Sequence, residues 1–213
     1  MANKRQPGHI ATTAVGHSPK WPLPLAAIAV GLCALLLYLL TLQRDVSLPD
    51  SAVIMTAMQR PVLSAFACNH TLNNVIGWLV CRLWPLATTA WRCNAVSALY
   101  GAALAGLFFA LARRVRVAPF LAFLLTATLV VSYGVWWHST VVENYCLSVI
   151  LYLICAHLLL APPPLAKKRS WRLGAIFAVA GLSLLNHLQN GVLLLGCAWA
   201  VCGAEWHCRR GRL

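Results

Sequence analysis

Apolar runs of membrane-spanning length, parted by short clusters of arginine and lysine, recur along this chain and leave few folds open to it. A hydrocarbon core ~30 Å thick takes ~20 apolar residues per helix, because a backbone in lipid has to satisfy its own hydrogen bonds. With 61% hydrophobic residues, 10% charged residues and a mean hydropathy of +0.74, the sequence is too apolar for a soluble domain of its length. Its 213 residues leave room for about six spans with short loops, and for no sizeable soluble domain. The expected class is an all-α integral membrane protein built as a single transmembrane domain.

A basic leader, residues 1–21, holds Lys4, Arg5 and Lys20 ahead of a first span over 22–42. That run is too long for a signal-peptide core and has no small-residue cleavage site before Arg44. Further spans are expected over 94–112, closed by Arg113, Arg114 and Arg116, and over 118–137. The next, 141–161, stops at Pro162, Pro163 and Pro164, ahead of Lys167, Lys168, Arg169 and Arg172. The last apolar stretch would be overlong as one helix. Two short spans, 173–186 and 191–204, are expected to turn at Asn186 to Asn190 before a basic tail, 205–213, with Arg209, Arg210 and Arg212.

Residues 71–86 read differently. Leu72, Val75, Ile76, Leu79, Val80 and Leu83 recur at helical spacing, while Asn73, Asn74, Gly77, Cys81 and Arg82 fall mostly elsewhere around the helix. This is the pattern of an amphipathic helix lying in the membrane interface, within the first outer loop. With that parity every cationic cluster, and both chain ends, lie on the cytoplasmic side of a cell (inner) membrane. The excess of 17 Lys and Arg over 4 Asp and Glu then reads as a determinant of topology. Nucleic acid is not an expected partner, since the cations form short clusters rather than one polar face; the partner is the lipid bilayer.

The same topology gathers the scarce acids. Asp45, Asp50, Arg60 and His70 share the first outer loop, Glu143 lies beside a second outer turn and His187 in a third, and only Glu205 is inside. Ionisable groups collected on one face of a membrane protein point to chemistry there. Each has a plainer reading. Glu143 stands three residues after Thr140, the spacing of a capping box. Asp50 after Pro49 suits a turn or cap, and His187 between Asn186 and Asn190 suits a polar turn. Only the joint placement separates the two views.

Cysteine carries less. Cys33, Cys146, Cys155, Cys197 and Cys202 fall inside expected spans as small apolar side chains. Cys68, Cys81 and Cys93 share the outer loop, where one disulfide is open and the pair unassigned. His207 and Cys208 beside Cys202 match no metal spacing.

Trp91-Arg92-Cys93-Asn94-Ala95-Val96-Ser97-Ala98-Leu99, then Trp136 with Thr140-Val141-Val142-Glu143-Asn144-Tyr145-Cys146-Leu147, then Gly181-Leu182 ahead of Asn186-His187-Leu188, form an ordered set. Together they resemble bacterial multi-span proteins related to the protein O-mannosyltransferases, which are GT-C glycosyltransferases. The resemblance runs from about Thr41 to Gly196. It implies transfer of a sugar from a polyprenyl-phosphate carrier to a hydroxyl acceptor at the outer membrane face, with inversion. On this resemblance Asp50 matches the family's key acid and general base, and Glu143 and His187 match an acid and a histidine facing the same cavity. His70, Arg60, Arg92, Asn94 and Asn186 become candidates for substrate contact. Arginine offers the bidentate geometry that phosphate prefers. A divalent cation is left open.

The sequence departs from the family where Asp50-Ser51 is followed by Ala52-Val53 instead of a second acid, and where His70 precedes Thr71-Leu72-Asn73-Asn74 instead of prolines and glycine. About six spans match the amino half of the GT-C fold, so a partner chain supplying further spans belongs to this reading. The alternative is a noncatalytic multi-span membrane protein, a truncated member, subunit or scaffold. The sugar and the acceptor are not legible.

Overall fold

The computed structural model describes residues 23–47, 49–60, 70–85, 87–160 and 166–210, with backbone alone at 166–169 and 204–210. The leader cations, Cys68, the prolines 162–164 and Arg212 lie outside the described residues, as do the side chains of Lys167, Lys168, Arg169, Glu205, His207, Cys208, Arg209 and Arg210. Among the described residues helix is the sole regular structure, and there is no strand. In chain order the helices are α1 (Leu23–Leu40), α2 (Pro49–Gln59), α3 (Thr71–Leu83), α4 (Thr89–Arg114), α5 (Pro119–Val131), α6 (Tyr133–Thr140), α7 (Tyr145–Leu159), α8 (Ala166–Asn186) and α9 (Gly191–Arg210), with a 3₁₀ turn at Leu188–Asn190 between the last two.

α4 is the central post. At 26 residues it is about 39 Å long, and α1, α3, α5, α6 and α7 all pack on it. α1 and α4 are each long and apolar enough to cross a membrane, and α5 with α6 makes a third such element bent by 61°. α7 and the segments Ser170–Asn186 and Leu188–Gly203 are shorter apolar helices.

Small residues set the α1–α4 crossing. A Cβ added at Gly31 would lie 3.0 Å from the Ala102 carbonyl oxygen, and one at Gly106 would lie 2.9 Å from that of Ala27. Ala34, Ala98 and Ala105 are buried along the same seam. In lipid there is no hydrophobic force between helices, so such close backbone approach is how they gain contact energy. The outer surface is apolar in turn: Leu25, Ile28, Leu32, Leu36 and Leu40 of α1 are all more than half exposed.

Several boundaries differ from the sequence expectation. α4 begins at Thr89 rather than near Asn94, because Thr88 caps it, its hydroxyl accepting from the Trp91 N–H at 3.3 Å. The run 118–137 is not one straight helix. It breaks at Ser132, which has an extended backbone and whose Oγ donates to the Leu129 carbonyl at 2.6 Å. The chain then turns at 141–144, so Thr140 ends α6 and its hydroxyl donates back to the Trp136 and Trp137 carbonyls. Thr140 and Glu143 therefore form no capping box. α2 is an added element, and its signal was present: proline at the first helical position with an acid in the first turn.

α3 is amphipathic with its polar side inward. Asn73, Asn74, Gly77 and Cys81 are buried, whereas Val75, Leu79 and Leu83 are exposed. A helix on a water-facing protein surface shows the opposite arrangement.

Candidate functional site

The end of α1 and the starts of α4, α7 and α9 lie at one end of the bundle, and the connections there enclose a cleft of about 460 Å³. Asp50, Val53 and Ile54 of α2 form one wall, and His70 stands just before α3. Glu143, Asn144 and Tyr145 come from the α6–α7 turn, and His187, Leu188 and Gln189 from the α8–α9 turn. Asp50, His70, Glu143 and His187, separated by up to more than a hundred residues of sequence, thus share one space.

α4 fixes the acid-bearing turn with two polar side chains at i and i+3. Asn94 Oδ1 accepts from the Val142 N–H at 2.8 Å, and its Nδ2 donates to the Gln43 carbonyl at 2.7 Å. Ser97 Oγ accepts from the Glu143 N–H at 3.1 Å. α2 is drawn onto the same turn where Ser51 Oγ donates to the Val142 carbonyl at 3.4 Å. Asn94 is fully buried behind the cleft, so its work is to hold the turn.

A second amide network sets the histidines. Asn186 Nδ2 donates to the Asn144 carbonyl at 3.0 Å and to Ser148 Oγ at 2.8 Å. The Asn186 carbonyl accepts from His70 Nδ1 at 2.7 Å. A carbonyl only accepts, so Nδ1 carries the proton and neutral His70 keeps a lone pair on Nε2. His187 is set the other way, since its Nδ1 accepts from the Gln189 N–H at 3.2 Å, which puts the proton of the neutral ring on Nε2. The two rings stack at 5.3 Å between centroids and 20° between planes. Side by side, one imidazole offers an acceptor and the other a donor. Tyr145 continues the ring contacts, 6.2 Å from His187 and 4.7 Å from His138.

The two acids sit in different surroundings. Glu143 is 8% exposed, and burial, followed by the charge of Asp50, pushes its carboxyl up to about 7, with a hydrogen bond from the Asn144 N–H acting the other way. Asp50 is exposed in the first turn of α2. Burial and then the charge on His70 lower His187.

The arginines do not join this cleft. Arg60 is exposed just past α2. Arg92 turns away, its guanidinium donating to the Cys81 carbonyl at 3.0 Å and to Thr89 Oγ1 at 3.2 Å. It lines a different cleft with Gln59, Trp78, Cys81 and Arg82. Among the described residues no group of three or more His, Cys, Asp or Glu is placed to hold a metal ion. Comparison with known proteins finds no matching family model, no similar curated protein and no similar solved structure.

Sequence reasoning gave no site role to Ser97, Asn144, Tyr145, Ser148 or Gln189. A signal existed for Ser97, which lies one helical turn from Asn94 on an otherwise apolar face. For Ser148 and Gln189 there was none, because their roles arise only when the turns meet.

Proposed function

We propose that this chain is a membrane-face transferase that moves a sugar from a polyprenyl phosphate to a hydroxyl acceptor. The scaffold of this proposal is the six-span arrangement with both ends and the cationic clusters inside and the cleft outside. The observation that carries it is the convergence of two carboxyls and two oppositely set imidazoles in one open cleft at the end of an apolar helical bundle. A buried carboxyl with raised proton affinity beside an exposed one is the pattern expected of an acid–base pair.

In the step proposed, the acceptor oxygen attacks the anomeric carbon while the carbon–oxygen bond to the phosphate breaks, and the phosphate leaves with the electron pair. The acceptor proton passes to Asp50, the exposed member of the pair. Glu143, near neutrality in this setting, shares protons with the acceptor or the sugar hydroxyls. With Arg60 and Arg92 outside the cleft, a donor to the phosphate within it is His187 Nε2–H, beside which His70 presents its Nε2 lone pair as an acceptor.

The absence of a guanidinium from the cleft among the described residues is what favours the second reading, a noncatalytic subunit or scaffold. The deciding assay offers the purified protein a panel of polyprenyl-phosphate sugars with a hydroxyl acceptor. Asp50→Asn should lower transfer by at least ~10²-fold while leaving the protein folded. Full activity of that variant would remove Asp50 from the reaction, and a folded wild type that uses no donor would favour the noncatalytic reading.

A further inference from the structure

Cys81 and Cys93 face each other between α3 and α4 with their sulfurs 3.7 Å apart. Both are buried, Cys93 completely. Around them Gln59 Nε2 donates to Cys93 Sγ at 3.7 Å, and Arg92 reaches over to the Cys81 carbonyl. Thiols in van der Waals contact on two different helices need only a small side-chain rotation to reach the 2.03–2.05 Å of a disulfide. We infer that Cys81 and Cys93 form a disulfide that ties α3 to α4.

The chemistry has an entry point. Cys81 lines a polar cleft of about 440 Å³ together with Gln59, Trp78, Arg82 and Arg92. Cys81 lines this cleft while Cys93 is fully buried, and the hydrogen bond with Cys93, with the positive charge of Arg92, lowers the Cys81 thiol against the effect of burial, so it is the nucleophile of the pair. Its thiolate attacks one sulfur of an oxidised protein dithiol, the disulfide of a thiol oxidase, and expels the other sulfur as a thiolate. Cys93 then loses its proton and attacks Cys81 of the mixed disulfide, which releases the oxidase as a dithiol. Two hydrogens leave this chain and two are gained by the oxidase, so the exchange balances.

The bond would act on the candidate site through α3. His70 immediately precedes Thr71, the first residue of that helix, and it reaches the cleft only while α3 stays seated. α3 exposes Val75, Leu79 and Leu83 on its far side, so its seat rests on its inward face alone. A cross-link at Cys81, in the last turn of α3, anchors the end opposite His70.

The test traps thiols in intact cells with acid and then N-ethylmaleimide under denaturing conditions, followed by peptide mapping without reduction. Trypsin cuts after Arg82 and Arg92 and leaves Cys81 and Cys93 in separate peptides, and chymotryptic cutting after Trp78 separates Cys81 from Cys68. The expected result is a linked pair of peptides containing Cys81 and Cys93 as the main form, lost on reduction. Cys93→Ser should free Cys81 for maleimide and speed amide exchange across 71–83 by about tenfold or more. Maleimide on both Cys81 and Cys93 in the wild-type protein, or Cys81 linked to a different cysteine, would overturn the assignment; neither result depends on the variant folding.

Discussion

Glu143→Gln should leave the protein's stability unchanged in acid and raise it in alkali. The carboxyl of Glu143 is pushed from 4.5 to about 7, first by burial and then by Asp50. A group that binds its proton more tightly when folded gives stability that is complete below the unfolded value, here 4.5, and is lost as pH rises through about 7. Each tenfold gain in proton affinity is worth about 1.4 kcal/mol, so the loss has a ceiling of about 3–4 kcal/mol. Water in the open cleft screens this to roughly 1–2 kcal/mol. Glutamine keeps the shape without the charge, so the variant should show no such fall. The assay is denaturant unfolding in detergent micelles from pH 4.5 to 8.5. Wild type and Glu143→Gln should coincide at the acid end and separate through pH 5 to 7, with the variant the more stable. Parallel profiles would mean that the buried carboxyl is not strained by its setting. A variant less stable at every pH would mean that the carboxylate is a structural acceptor.

Asn94→Ala strands the Val142 N–H and removes the donor to the Gln43 carbonyl, which should cost about 2–3 kcal/mol in the same unfolding assay; a neutral outcome would refute the clamp. Gly106→Leu drives a side chain into the Ala27 carbonyl and should part α1 from α4, read as loss of cross-linking between cysteines placed along that seam. Unchanged cross-linking would show that the seam is not closely packed. Spin labels at positions 75, 79 and 83 should report lipid, and a label at 77 should report protein, so that accessibility to oxygen rises and falls with helical period along α3. A uniform deep signal would instead make 71–83 a span.

How much of this was legible depended on whether a residue's role is local. The apolar runs announced α1 and α4, because burying about twenty apolar residues in lipid is a property of the segment itself. The polar break at Asn186 to Asn190 likewise announced the turn between α8 and α9. The bend at Ser132 was not legible, since Val131-Ser132-Tyr133-Gly134 has no proline and reads as continuous apolar sequence. Asn94 was singled out as a candidate for substrate contact, yet its amide is consumed by the backbone of two other segments. Sequence shows that a polar group sits at membrane depth and that it needs partners. It does not show whether those partners are substrate or chain. Arg92 illustrates the same limit: the phosphate-friendly guanidinium is there, but the α4 start at Thr89 turns it toward Cys81 and away from Asp50.

The rim of the cleft bears on what could enter it. Polar groups line the interior, but Val53 is 67% exposed and Leu188 64% exposed, and Tyr145, also in the lining, stands about half out. An acid-bearing cleft that receives small polar molecules from water gains nothing from an apolar rim, which only adds exposed hydrophobic surface. A cleft reached from the bilayer does gain, because a lipid-borne substrate can keep its chain against the rim while its head meets Asp50, His70, Glu143 and His187. α3 extends the same argument, for its outward face is Val75, Leu79 and Leu83 while its first residue adjoins His70. The apolar surface and the ionisable groups are therefore joined at the N-terminus of one helix. Seating α3 on α2, α4 and α8 sets both at once, so on the proposed function a change that loosens this helix should impair use of a lipid-linked donor more than it impairs proton uptake at Glu143, which is held by α4 and not by α3.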